Sequence, residues 1–287
     1  MRRIALLSTV ALLAACGDSS TPAGTGYLRV ANLSPDLGAL DFCVAPTGTT
    51  TFTGPAMAGA GPGGAAGLVF GLDGSRAISK YFSYTAGTYD VRVVASTTGA
   101  NCSTPLLTLT GVSLDGGVYK LVAAVGATGV TGAAHALVSF TDETTVASNR
   151  VAIRFVNAGL LAIPGSAPSP LPPLNIGFTV GTTYNGVFTN VAYPGKGAAV
   201  PPVDANGYAT VDPAGLPSGV QITACLSPAT SGPTCASTPL PSGTVISGGT
   251  VASAYVVGYA GAAPNSLLCG DNQTPIAGFP YSLCIAQ

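Results

Sequence analysis

Short apolar runs rich in Val, Ile, Tyr and Phe recur along the chain and are broken every few residues by Gly, Pro, Ser and Asn. In one run Tyr89, Val91 and Val93 alternate with Asp90 and Arg92; in another Val151, Ile153 and Phe155 alternate around Arg154. A period of two puts one set of side chains on a buried face and the other set outward. No window of about a dozen residues shows the 3.6-residue spacing of an amphipathic helix. The pattern predicts an all-β protein.

The runs also repeat. Leu28-Arg29-Val30-Ala31-Asn32 matches Ile153-Arg154-Phe155-Val156-Asn157, and Leu40-Asp41-Phe42 matches Leu174-Asn175-Ile176. Val91 to Ala95 aligns with Val220 to Ala224, and Cys102-Ser103-Thr104-Pro105-Leu106 aligns with Cys235 to Leu240 after one insertion. This regularity predicts two tandem β-sandwich domains of Ig-like or transthyretin-like type, spanning 27–145 and 150–287, with the polar stretch Thr141 to Asn149 as their junction. A transmembrane β-barrel also alternates, but needs strands of about 9 to 11 residues, longer than these runs.

Ahead of the repeats, Met1-Arg2-Arg3 and the mainly apolar twelve-residue stretch Ile4 to Ala15 form a basic n-region and an h-region too short to span a bilayer. The stretch ends Leu13-Ala14-Ala15-Cys16-Gly17, which resembles the bacterial lipobox. The resemblance implies cleavage before Cys16 (signal peptide 1–15), lipidation of Cys16, and a membrane anchor of acyl chains each adding about 0.8 kcal/mol per buried methylene. Gly17 after the cysteine resembles lipoproteins sent to the outer membrane of Gram-negative bacteria. Residues 16–26 then read as the lipidated cysteine and a flexible tether. The competing reading is an ordinary secreted protein with Cys16 as a spare thiol.

Composition narrows the function. Charged residues are 7% of the 287, with ten Lys plus Arg against eleven Asp plus Glu, so nothing supports a nucleic-acid partner. Cleavage removes Arg2 and Arg3 and leaves eight basic residues against the eleven acidic ones, so charge would not hold the chain to anionic lipid. Trp is absent, the one His is His135 and the one Glu is Glu143, which excludes chemistry needing two imidazoles or a Glu pair. No cofactor motif is present.

Six cysteines follow Cys16: Cys43, Cys102, Cys225, Cys235, Cys269 and Cys284. An even number behind an export signal indicates disulfides, with fifteen possible pairings. The repeat makes Cys102 and Cys235 equivalent, while Cys43 matches Gly177 and Cys225 matches Ser96. Each copy thus supplies its own partner, which selects Cys43 with Cys102, Cys225 with Cys235, and Cys269 with Cys284. Zinc is the alternative for the four late cysteines, but they contain no C-x₂₋₄-C pair and no nearby His.

Asp36 and Asp41 form the best acidic pair, able in principle to hold a weak calcium ion, contact a sugar or share acid and base roles. The simpler reading is that Ser34-Pro35-Asp36 is turn chemistry, with Pro presetting φ and Asp or Ser accepting local N–H groups. Asp142-Glu143 falls in the expected junction and reads as solvated. His135 has no nucleophile motif to serve.

Ser34-Pro35-Asp36 with Asp41-Phe42-Cys43-Val44, Ala86-Gly87-Thr88-Tyr89-Asp90-Val91, and Gly117-Val118-Tyr119 leading to Val125-Gly126 resemble the domain of unknown function 4397 family of bacterial envelope proteins. The second copy departs from it, with Ala158-Gly159, Asn175 and Ser218-Gly219-Val220 in the corresponding places. The resemblance implies a surface-exposed β module, often in tandem, and no known reaction. The expectation is a non-catalytic envelope lipoprotein that binds a protein, glycan or matrix partner or serves as a structural spacer. The alternative is a glycan hydrolase using Asp36 and Asp41.

Overall fold

The computed structural model describes residues 24–57, 67–70, 76–97, 100–161, 169–196, 198–199, 203–215, 220–228, 235–239, 247–257, 265–272 and 284–286. The signal segment, Cys16 and the tether up to residue 23 lie outside them. The first half runs β1 (Thr25–Asn32), β2 (Leu40–Pro46), β3 (Phe82–Thr85), β4 (Gly87–Ala95), β5 (Leu107–Leu114), β6 (Tyr119–Val125) and β7 (Ala136–Asp142). The second runs β8 (Val151–Asn157), β9 (Leu160–Leu161), β10 (Ser169–Pro170), β11 (Leu174–Val180), β12 (Thr183–Val191), β13 (Gly195–Lys196), β14 (Ala198–Ala199), β15 (Tyr208–Val211), β16 (Gln221–Leu226), β17 (Cys235–Pro239), β18 (Val251–Val257), β19 (Asn265–Gly270) and β20 (Cys284–Ala286). The protein is all-β, as the alternation predicts, with no α-helix among the described residues.

The two halves are built alike. In the first, sheet β3-β1-β6-β7 packs on sheet β2-β4-β5; in the second, a sheet centred on β8-β18-β19 packs on β14-β12-β11-β16-β17. Parallel pairs sit at corresponding places, β1 beside β6 and β8 beside β18, with Arg29 opposite Leu121 and Arg154 opposite Ser253. Repetition extends to side chains. Asn32 Nδ2 donates to the carbonyls of Gly38 and Leu68, while Asn157 Nδ2 donates to those of Pro172 and Val191. Each Asn also accepts from a backbone N–H two residues on, at Ser34 and Gly159. These buried amides close the loop leaving the first strand of each half, where an unpaired backbone carbonyl would be costly.

The four sheets stack in layers. Leu28 and Val30 of β1 face the first half's own core, whereas Ala31, Leu121, Ala123, Val125 and Phe140 form a third cluster with Val156, Tyr255, Val257, Leu267 and Cys269 of the second half. The two middle sheets are therefore covered on both faces. This corrects the expectation of one outward face at β8: all seven residues of β8 and all seven of β18 are buried, Arg154 included. The polar junction also starts later than its composition suggests, because Thr141 and Asp142 still belong to β7.

Three disulfides join the pairs the repeat argument selects: Cys43–Cys102, Cys225–Cys235 and Cys269–Cys284, with sequence separations of 59, 10 and 15. In the chain-entropy picture the longest loop contributes about 4 kcal/mol and the shortest about 3 kcal/mol. The equivalence behind the argument slips by two residues, however. Ser96 N–H and Ser227 N–H bond the carbonyls of Ala39 and Pro173 and occupy the same place, so Cys225 corresponds to Val94, not Ser96. A two-residue shift leaves every side chain on its own face, so alternation is blind to it.

Candidate functional site

Asp36 and Asp41 have separate surroundings. Asp41 is buried in β2, and its Oδ1 accepts the backbone N–H groups of Phe42 and Met57, at 2.7 Å each. Burial pushes this carboxyl up from its ordinary range despite those bonds. Its role is to clamp the segment around Met57 onto β2. The corresponding Asn175 does the same with an amide oxygen, accepting Asn190 N–H at 3.3 Å.

Asp36 sits on the turn after β1 and reaches the loop between β6 and β7. Its Oδ1 lies 2.7 Å from His135 Nε2, and its Oδ2 accepts Thr128 N–H at 2.8 Å. Ser34 Oγ donates to Gly126 O at 2.7 Å beside them. Gly126 has φ +91°, and a Cβ there would meet Ala134 O at 2.4 Å, so the fold of this loop demands glycine. Slight burial works against ionisation of Asp36, but the bonds from His135 and Thr128 outweigh it and hold the carboxyl down at about 2. Ala127, Thr128, Gly129, Val130, Thr131, Ala134 and His135 line an open hollow of about 440 Å³. Neither Asp36 nor Asp41 lines it, and the two carboxylates have no hydrogen-bond partner in common among the described residues.

A second cluster was not visible in the sequence. Arg29, Arg154, Asp142 and Asp271 lie fully buried between the two middle sheets. Arg29 Nε donates to Asp142 Oδ2 at 2.9 Å, and its Nη2 donates across to Asp271 Oδ1. Arg154 reaches back, donating from Nη2 to Asp142 Oδ1 at 2.5 Å and from Nη1 to Thr141 O at 2.8 Å. Tyr81 OH donates to Asp142 and Tyr208 OH to Asp271, both at 2.7 Å, and each arginine lies 4.7 Å from the ring centroid of its own half's tyrosine. Ser253 Oγ completes the set on Asp271 at 2.6 Å.

Each member has its counterpart in the repeat. Arg29 matches Arg154 in strand register; Asp142 opposes Tyr119 as Asp271 meets Val251; and Tyr81 stands one step beyond the Leu28–Phe82 pair as Tyr208 stands opposite Arg154. The cluster is a pseudo-two-fold arrangement in which two positive and two negative charges cancel. Burial opposes the ionisation of Asp142, but the two guanidiniums beside it prevail and lower its pKa. Asp271 goes the other way: burial raises it, and Asp142 adds to the effect. Asp142, expected to be solvated, is thus a carboxylate whose side chain is fully enclosed. Its neighbour Glu143 accepts a hydrogen bond from Asn206 Nδ2 of the second half.

Among the described residues no group of three or more His, Cys, Asp or Glu side chains could hold a metal ion. No family model matches the chain, and no curated protein matches it. Among solved structures, the carbohydrate-binding module CBMbc (family CBM26) from Eubacterium rectale Amy13K, in complex with maltoheptaose, is similar with a TM-score of 0.24 and 10% identity, covering 87% of this chain and 98% of that chain.

Proposed function

We propose that this chain is a non-catalytic lipoprotein of the bacterial envelope, anchored through Cys16 and presenting its β layers to a protein, glycan or matrix partner. The observation that carries the reading is the lipobox-like Leu13 to Cys16 at the end of a short apolar stretch. It is supported by three disulfides placed within an all-β body, a feature of oxidising compartments. The chemistry of the two candidate carboxylates agrees: Asp41 serves backbone amides, and Asp36 ties two loops together. The resemblance of the first copy to the 4397 family points to the same surface role, and the outer membrane is the destination that Gly17 suggests.

Replacing Cys16 with Ser should shift the protein from the detergent-soluble membrane fraction to the soluble envelope fraction and remove the acyl mass from its N-terminal peptide. Unaltered partitioning of Cys16→Ser would defeat the anchor.

A further inference from the structure

The charge cluster and the apolar residues around it define a face on each half. The first half contributes Ala31, Leu33, Ala77, Ile78, Leu121, Ala123, Val125 and Phe140, and the second contributes Val156, Ala158, Tyr255, Val257, Leu267 and Cys269. We propose that these faces form an autonomous binding interface, so that the first half holds the second as a non-covalent partner and the peptide link between them is dispensable for their association.

Three features support this. Each described disulfide closes within one half, so none joins the two. Most of the connecting segment lies at the surface: Thr145, Ala147, Ser148, Asn149 and Arg150 are exposed, and the segment touches the second half through the Ser148 and Arg150 backbone at Gly248 and Gly249. Above all, the ion pairs that cross are buried and reciprocal, with Arg29 reaching Asp271 and Arg154 reaching Asp142. Such pairs set register and orientation as well as affinity.

The occupant is the second half of this chain, not another copy of the first, because the two faces are complementary where their repeat positions differ. Leu121 corresponds to Ser253, whose hydroxyl accepts Arg154 Nε at 3.1 Å. Phe140 corresponds to Cys269, and the Phe140 ring lies 5.5 Å from the Arg154 guanidinium. Ala123 corresponds to Tyr255, a fully buried ring that packs in the same cluster. Two second halves would bring two such tyrosines where the structure holds one.

The test uses the full mature chain with a site-specific protease sequence inserted between Ala147 and Ser148. After cleavage of the oxidised protein, size-exclusion chromatography with light scattering should show one species of unchanged mass, while a non-reducing denaturing gel shows two bands. Unfolding the cut protein in urea and removing the urea should restore the same one-to-one species. Introducing Asp142→Asn into the cut protein should raise the dissociation constant at least about thirty-fold, since removing one member of a buried charge pair costs about 2 to 5 kcal/mol. Halves that separate after cutting, whether folded or aggregated, would overturn the proposal, as would reassembly into like-with-like pairs. An unchanged dissociation constant for Asp142→Asn would remove the charge cluster from it.

Discussion

Asp142→Ala is the sharpest perturbation of this structure. The carboxylate accepts from the fully buried Arg29 Nε at 2.9 Å and Arg154 Nη2 at 2.5 Å, and from the half-buried Tyr81 OH at 2.7 Å. Its removal leaves two buried guanidiniums facing Asp271 alone, together with an unpaired phenol. Breaking one member of a buried pair costs about 3 to 5 kcal/mol, whereas an exposed pair contributes about 0 to 1. With unfolding entropy of roughly 2.1 cal/mol/K per residue, that loss over 287 residues lowers the melting midpoint by about 5 to 8 °C. Calorimetry of wild type and variant, backed by urea midpoints, measures it. A further Arg154→Leu substitution should recover part of the loss, because it removes one of the stranded charges. A drop worth less than about 1 kcal/mol for Asp142→Ala, or no recovery on adding Arg154→Leu, would refute the picture of a closed and coupled charge set.

Two other outcomes follow from the carboxylates of the first half. Asp36 has its folded pKa lowered from 3.8 to about 2, so its contribution to stability is present above the ordinary value and is lost as pH falls toward 2. Asp36→Asn should flatten the stability profile between those limits in urea titrations at stepped pH, and an acid limb as steep as that of wild type would rule the bond to His135 out as a stabilising contact. Asp41→Asn should be tolerated within about 1 kcal/mol, because Asn175 does the equivalent work with an amide, whereas Asp41→Ala leaves the Phe42 and Met57 N–H groups unpaired at a cost of about 1 to 3 kcal/mol. Equal losses in the two variants would contradict the clamp.

Much of the architecture could be read from the chain. Alternation around Val91 and Ile153 marked strands, and Leu28–Asn32 against Ile153–Asn157 marked equivalent strands whose asparagines do identical work. The buried charges escaped because a lone Arg within an alternating run is the ordinary mark of an outward face. That inference fails when a second sheet covers the face, and nothing in a single strand's pattern reveals a covering layer. Asp142 was obscured by its polar neighbours Thr141 and Glu143, and Asp271 by the Pro/Gly-rich C-terminal segment. One signal was available: in a chain with 7% charged residues, Arg stands at the same place in both copies, which is more conspicuous than solvation requires. The disulfide pairs came out of an alignment two residues out of step, since each half keeps its own pair.

The charge cluster also affects the outside of the molecule. The chain has ten basic and eleven acidic residues, and two of each are enclosed between the middle sheets, with Asp41 buried as a fifth. The surface is correspondingly short of fixed charge. Its electric field is weak beyond the roughly 8 Å over which physiological salt lets charges act. Whatever meets this surface does so without long-range steering, at a rate nearly independent of ionic strength, and is selected by shape and short-range hydrogen bonding.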